Sequence, residues 1–216
     1  MMFRKFLLAF LLLAQQVSGQ LHLQFQWGKE IISLNKSYPL GNDSISFDEL
    51  KMYLSDFQFI KSNRKQIVLG AHLVDAADEK SLLLFPDFPI DGYDSLTFQF
   101  GLDSSYHVSA SVEGDLDPLK GMYWAWNSGY IQFKCVGNAS ILPMDDQSFE
   151  FHLGGYHQPN KTIVPISLVI QGDRLILDLQ AFFEQTEPLK TTQRIMIPGA
   201  LAKSYCQIIA RQFFTK

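Results

Sequence analysis

The sequence predicts an all-β fold, an antiparallel β-sandwich of about nine or ten strands with a C-terminal amphipathic helix. Aromatic residues are frequent, with 18 Phe, 8 Tyr and 3 Trp among 216 residues, and aromatic side chains pack well on a pleated sheet. Apolar and polar residues alternate repeatedly along the chain, which is typical of strands with one buried face. Turn-forming residues separate the alternating segments, at residues 41–43, 86–87, 90–92, 137–138 and 171–173.

The strands follow from this alternation in order. Leu21, Leu23, Phe25 and Trp27 alternate with polar residues and predict the first strand. Within residues 50–59 the apolar positions change from even to odd numbers across Ser55 and Asp56, as a β-bulge would produce. The remaining strands are predicted over residues 67–74, 81–85, 96–102, 131–135, 149–153, 163–170 and 175–183.

The last segment has a different period. After Pro198-Gly199, apolar residues recur at helical spacing, which predicts an amphipathic helix over residues 200–214 that covers an end or edge of the sandwich. We find no internal repeat and no linker-like stretch in the sequence. One compact domain is therefore expected.

The N-terminal segment predicts export from the cytoplasm. Arg4 and Lys5 precede a short apolar run, and small residues follow at positions 17–19, the pattern of a cleaved signal peptide over residues 1–19. The mature domain is then residues 20–216, periplasmic or secreted. Such a compartment permits a disulfide between Cys135 and Cys206, and the sequence leaves open whether they are bridged or are buried free thiols.

The composition and the absence of common motifs argue against several classes of function. The formal net charge of −4 provides no basic surface for nucleic acid, and no mature segment is long and apolar enough to span a membrane. Phosphate-binding loops and the common hydrolase and zinc-protease motifs are absent, so we do not expect an enzyme. The acidic pair Asp115 and Asp117 is expected to form a turn.

Two tryptophans and two histidines are the candidate functional residues. Trp124 and Trp126 are two positions apart, so a strand would point both indoles to one face. Three interpretations are open for this pair: two packed core residues, a stacking platform for a ligand, or a modified indole beside a metal. His152 lies on the polar face of its predicted strand, and His107 lies in a polar loop after another strand. Two imidazoles without a thiolate suit copper or zinc.

Three segments of the sequence resemble the MbnP-like copper-binding proteins. They are LDPLKGMYWAWNSGYI at residues 116–131, FHLGGY at residues 151–156 and MYLSD at residues 52–56. Together they extend over most of the mature domain. The chain is similar to a Bacteroidetes-type member of this family.

The resemblance implies a periplasmic or secreted β-sandwich that stores or transfers one copper ion. It implies metal ligation by two histidines, matched here by His152 and, at a nearby position, by His107. The third ligand would be an oxidised tryptophan, a kynurenine, at Trp124 or Trp126. A di-haem protein related to cytochrome c peroxidases would be the partner that oxidises the tryptophan. If His107 does not bind, His157 is the alternative second imidazole.

A different function class remains open. Trp124, Trp126 and Tyr130 would stack on a glycan or peptide in a binding module without a metal. A hydrolase based on His152 and Glu150 lacks a recognisable nucleophile. The metal content and the chemical state of Trp124 and Trp126 distinguish a copper-binding protein from a binding module without a metal.

Overall fold

The computed structural model describes residues 19–62, 64–86, 88, 90–108, 113–124, 126 and 129–216. The predicted signal peptide lies outside these residues except for Gly19. The described chain forms fourteen strands and four α-helices, with two short 3-10 turns at Gly114–Leu116 and Pro118–Lys120. The strands are β1 (Leu21–Trp27), β2 (Glu30–Ile31), β3 (Ser37–Leu40), β4 (Asp43–Lys61), β5 (Arg64–Asp75), β6 (Leu83–Leu84), β7 (Ser95–Phe100), β8 (Tyr123–Trp124), β9 (Gly129–Ala139), β10 (Ser148–Gly154), β11 (Val164–Val169), β12 (Arg174–Asp178), β13 (Arg194–Ile195) and β14 (Phe213–Thr215). The helices are α1 (Ser104–Val108), α2 (Gln180–Thr186), α3 (Pro188–Thr191) and α4 (Ala200–Ala210).

The strands form two sheets, so the predicted all-β fold is confirmed. The smaller sheet has the order β14-β12-β1-β2, with β6 also paired to β1. The larger sheet has the order β11-β7-β4-β9-β10-β13; β3 and β5 pair with β4, and β8 pairs with β9. Most pairs are antiparallel, but β1 with β12 and β10 with β13 are parallel. The prediction of a purely antiparallel sandwich was therefore approximate.

The bulge predicted in the long strand is present in β4. The pairing of β4 with β5 shifts register between Ser55 and Phe57. Asp56 between them has a φ of 54°, a left-handed conformation that Asp tolerates better than most residues. Its carboxylate accepts a hydrogen bond from the Tyr106 hydroxyl at 2.8 Å. The change of apolar phase in the sequence thus marks a real kink.

Two predicted elements are wrong at their ends. The strand expected over residues 175–183 ends at Asp178, and the chain continues as helix α2. The helix expected over residues 200–214 ends at Ala210, and Phe213 lies in strand β14. Helix α4 packs against β10 and β11 of the larger sheet.

The larger sheet buries apolar residues on both of its faces. One face packs against the smaller sheet and forms the main aromatic core, which includes Phe47, Phe149 and Phe183. The other face carries a second, smaller apolar cluster from β4, β5, β8, β9 and the neighbouring loops, made of Tyr53, Leu73, Leu102, Leu116, Met122, Trp124, Tyr130 and Ile131. The candidate functional residues lie beside this second cluster.

Both cysteines are free and buried in the structure. Cys135 lies on β9 and Cys206 on α4, and both are in the main core. The alternative of two buried thiols, which the sequence left open, is the one observed. None of the helices in the described part of the chain has the length and apolar character that a membrane crossing requires.

Candidate metal centre

His152 projects from β10 on the face of the larger sheet that is opposite to the main core. Its neighbours Phe151 and Leu153 are completely buried in that core, so the alternation of the strand directs the imidazole to the other face. Across the sheet, Lys134 on β9 is its register partner. Burial, and then the charge of Lys134, lower the pKa of His152. The imidazole is therefore neutral at neutral pH, the form that binds metals.

Trp124 lies on the same face as His152, close to the end of β10. It is 5% exposed, and its six-membered ring lies directly over Gly154, where an added Cβ would be 2.8 Å from the Trp124 Cζ3 atom. Because Gly154 is two residues after His152, both occupy one face of β10. The absence of a side chain at Gly154 is what allows the indole to lie there.

Two buried nitrogen atoms on this face have no hydrogen-bond partner among the residues that the structure describes. They are Nε2 of His152 and Nε1 of Trp124. A buried polar atom without a partner costs about 1–3 kcal/mol, and such atoms in native proteins often mark a ligand, ion or water site. An unprotonated imidazole Nε2 is a metal ligand, whereas the indole N–H is a donor and becomes a ligand only after modification.

Trp126 differs from Trp124 in its environment. Strand β8 ends at Trp124, so the expected arrangement of both indoles along one strand face is not present. Trp126 lies in the following turn and is 63% exposed. The two ring centroids are 5.7 Å apart. The structure therefore keeps the indoles adjacent but places one inside and one at the surface.

His107 lies in helix α1 and is 8% exposed. Its Nδ1 accepts a hydrogen bond from the backbone N–H of Tyr130 at 3.1 Å. The single proton of a neutral imidazole then belongs on Nε2. Nε2 of Gln132 lies 3.0 Å away, but it is also a donor and gives its hydrogen bond to the Leu102 carbonyl, so these two nitrogens are in contact without a hydrogen bond. Burial is the main cause that lowers the pKa of His107 to about 4, against a smaller opposing effect of a hydrogen bond to the Leu102 backbone. Both ring nitrogens are thus engaged within the protein.

His157 lies near His107 but at the surface. The Tyr156 ring stacks on His107 with centroids 4.3 Å apart and contacts His157 at 3.9 Å. The exposed His157 ring makes it the more accessible of the two imidazoles. Tyr156 therefore connects the two candidates for a second imidazole.

The structure places the ring of Trp124 over Gly154, two residues after His152, and connects His107 to Trp124 less directly. Gly129 is the register partner of Trp124, and a Cβ on Gly129 would be 3.3 Å from Nδ1 of His107. His107 and Trp124 therefore adjoin the same β8–β9 pair. No group of three or more His, Cys, Asp or Glu side chains that could hold a metal occurs within the described residues.

The predicted turn at the acidic pair is only half correct. Asp117 accepts a hydrogen bond from the Leu119 N–H at 2.9 Å, as a turn requires. Asp115 instead accepts from the Leu73 N–H at 3.0 Å and from Lys120 at 2.7 Å. It thus joins its segment to β5 rather than closing a turn of its own.

Sequence reasoning missed Gln132 as a determinant of this region. Its fully buried amide pairs with the Leu102 backbone, accepting from the N–H at 2.6 Å and donating to the carbonyl at 3.1 Å. A polar residue inside the apolar run of β9 was the available signal, because buried amides are retained only where they are hydrogen-bonded.

Comparison with known proteins agrees with the resemblance in the sequence. The family model named MbnP matches residues 15–199 of the chain. A solved structure, MbnP from Methylosinus trichosporium, is 15% identical, with a TM-score of 0.49 and coverage of 76% of each chain. No curated protein matches the chain. Because the family model extends over most of the 216 residues, the chain belongs to the MbnP family.

Proposed function

We propose that this chain is an extracytoplasmic copper-binding protein that stores or transfers copper, and that it is not itself an enzyme. Membership of the MbnP family supports a copper-related role in general. The observation that carries the proposal is a pair of buried nitrogens on one sheet face, Nε2 of His152 and Nε1 of Trp124, without a hydrogen-bond partner among the described residues. The imidazole nitrogen would gain a partner in a metal site, and the indole nitrogen would do so once it is oxidised to an amine.

The two nitrogens differ in what they offer to copper. The neutral His152 imidazole has a lone pair on its unprotonated nitrogen and is a ready ligand. Indole Nε1–H is only a donor. Oxidation of a tryptophan to kynurenine by dioxygen or peroxide breaks the Cγ–Cδ1 bond of the five-membered ring. Hydrolysis then releases Cδ1 as formate and leaves this nitrogen as an amine, which is a better metal donor. We assign the modification to Trp124 because its nitrogen is buried and its ring lies over Gly154, two residues after His152, whereas Trp126 is exposed.

The second imidazole in this proposal is His107. Its Nδ1 would exchange the Tyr130 N–H for copper, and loss of such a hydrogen bond costs about 1–3 kcal/mol. The exposed His157, on the other side of Tyr156, is the alternative. Nitrogen donors suit copper, which forms the most stable divalent complexes of the first-row series.

The tryptophan oxidation requires a partner. The chain offers no redox group of its own for this step among its described side chains, and we assign the step to a di-haem protein related to cytochrome c peroxidases. The 63% exposure of Trp126, with its ring 5.7 Å from that of Trp124, supports access to the pair from the surface. The chain would be the substrate of this modification and then the copper carrier.

Replacement of His152 tests the proposed site. The protein is purified from its native cells, its copper is measured by elemental mass spectrometry, and the peptide with Trp124 and Trp126 is mapped for oxidation. We expect about one copper and one oxidised tryptophan. His152→Ala should weaken copper binding at least about 100-fold, since even outer-shell changes at metal sites cost about 10–100-fold.

His22→Ala is the matched control, because His22 is exposed on β1 of the smaller sheet. Equal copper binding by the His152→Ala and wild-type proteins would refute the site. The exposed indole of Trp126 favours a second function, stacking on a glycan or peptide. Glycan or peptide binding that survives chelation and disappears in Trp126→Ala, together with no copper binding, would establish that function instead.

A further inference from the structure

The segment that follows β13 runs beside His152. Strands β10 and β13 are parallel, with Glu150 opposite Arg194 and Phe151 opposite Ile195. Farther along, the Pro198 side chain lies 3.2 Å from the position of a Cβ on Gly155. Met196 falls between these two anchors. The pairing of β10 with β13 ends at Ile195 and Phe151, and Met196 and His152 are the residues that follow these two partners.

The contacts of Arg194 indicate the face that Met196 occupies. Ile195 is 7% exposed and belongs to the main core together with Phe151. Arg194 before it donates to the Ser148 hydroxyl at 3.0 Å, on the same face of β10 as His152. Continued alternation from Arg194 directs Met196, which is 37% exposed, to that face. It is the face of a histidine whose Nε2 has no hydrogen-bond partner among the described residues.

The charged groups around His152 form two ion pairs and leave one carboxylate. Lys134 is its neighbour on β9, and Arg194 lies two positions before Met196. The carboxylate of Glu49 is held by Lys134 at 2.7 Å, and that of Asp146 by Arg194 at 2.9 Å. Glu150, two residues before His152, makes no ion pair with the described residues. Glu150 is therefore the hard oxygen donor near His152, and the thioether of Met196 is the soft donor.

We propose that Met196 is a thioether ligand beside His152 and makes the site selective for monovalent copper. This inference rests on the proposed copper function. Thioether sulfur is a soft donor that selects Cu(I), whereas oxygen donors favour harder cations. Met196 lies between Ile195, which pairs with β10, and Pro198, whose side chain lies close to Gly155 just after β10.

The test compares Met196→Leu with Met144→Leu in the full protein. Leu conserves the apolar volume at an exposed position, so both variants should fold; Met144 is 95% exposed and serves as the matched control. Cu(I) affinity is measured by anaerobic competition with a chromophoric chelator, and Cu(II) affinity by competition in air. Met196→Leu should weaken Cu(I) binding by about tenfold or more, at the lower end for altered metal-site residues. Cu(II) binding by this variant, and both affinities of Met144→Leu, should remain close to the wild type.

A direct readout on the unaltered protein complements the variants. Methyl-labelled methionine is followed by NMR while Ag(I), a closed-shell analogue of Cu(I), is added. The Met196 methyl signal should shift at one equivalent, and the Met144 signal should not. Unchanged Cu(I) affinity in Met196→Leu and a stationary Met196 methyl would overturn this inference. If His152→Ala nevertheless weakens copper binding, the proposed copper function stands and only the role of Met196 is wrong. If His152→Ala binds copper as the wild type does, the proposed function and the role of Met196 are both wrong.

Discussion

His107 shows how one buried side chain couples the site region to pH. Its ring is enclosed between the Tyr130 backbone and the Tyr156 ring. Burial lowers its pKa from an ordinary 6.5 to about 4. The native protein therefore holds His107 neutral over a range of pH in which the unfolded chain takes up a proton.

This difference predicts a loss of stability on acidification. Between pH 6.5 and 4 the unfolded state binds more protons at His107 than the native state, so the free energy of unfolding falls as pH falls. The contribution of His107 reaches about 3 kcal/mol at most, from a shift of about 2.5 units at 1.36 kcal/mol each. Below pH 4 both states are protonated and this contribution becomes constant.

The measurement is urea denaturation at several pH values between 4 and 7. The variant His107→Gln should have a flatter dependence than the wild type, while His22→Gln, at an exposed position, should retain the wild-type dependence. His152 and the surrounding carboxylates titrate in all three proteins, so their effects cancel in the comparison. Parallel curves for the wild type and His107→Gln would show that His107 does not carry the effect.

The sequence predicted part of the site because strand alternation is a local property. The placement of His152 away from the core follows directly from its neighbours in β10. The engagement of His107 was not predictable, because Tyr130, which donates to it, and Gln132, which contacts it, are 23 and 25 positions away. The polar loop of the sequence became a short helix in which His107 is the buried residue.

At the scale of elements, apolar period alone cannot separate a buried strand from a buried helix. Leu177 and Leu179 continue into Phe182 and Phe183, and all four are buried. The change of structure occurs at Asp178, whose carboxylate accepts the N–H groups of Gly28 and Gln180, each at 2.9 Å. Such a side-chain bond to the following backbone commonly starts a helix, and it was the available signal for α2.

Strand β14 was hidden in the sequence for a similar reason. Phe213 fits the helical spacing of α4, but the unpaired edge of β12 gives the chain backbone partners after Ala210. The Phe213 ring lies 5.6 Å from the centroids of both Phe98 and Phe100. Because those residues belong to β7 of the larger sheet, Phe213 connects the two sheets across the core.

This packing predicts a large difference between two adjacent phenylalanines. Phe213 is 5% exposed and Phe214 is 40% exposed. Phe213→Ala should lower the free energy of unfolding by about 3–5 kcal/mol, because it leaves a cavity in the core. Phe214→Ala should lower the free energy of unfolding by much less than Phe213→Ala does, about 1 kcal/mol or less. Denaturant unfolding followed by circular dichroism measures both, and equal losses would show that β14 does not contribute to the core as described.

In the molecule as a whole, the two faces of the larger sheet carry different groups of residues. The main core and the smaller sheet occupy one face, while His152, Trp124 and the second apolar cluster occupy the other. Substitutions at the candidate metal centre therefore remove few contacts from the main core. Variants of the candidate metal centre should therefore retain the fold, so that changes in copper binding can be measured in them.

The main core also explains how the domain dispenses with a disulfide. A chain of this size can bury about 70% of its unfolded surface without covalent links. Cys135 and Cys206 are both completely buried in that core as free thiols. Burial raises the pKa of both thiols, so neither is a reactive thiolate in the native state.

The thiols therefore predict a simple outcome for chemical modification. The native protein should resist iodoacetamide, and both cysteines should be alkylated once denaturant is added, as counted by mass spectrometry. Addition of a reductant should leave the midpoint of thermal unfolding unchanged, because there is no bond to break. Failure to find thiols in the denatured, unreduced protein would instead reveal a bridge between β9 and α4. Such a bridge would be expected to add about 2–4 kcal/mol of stability that the reductant then removes.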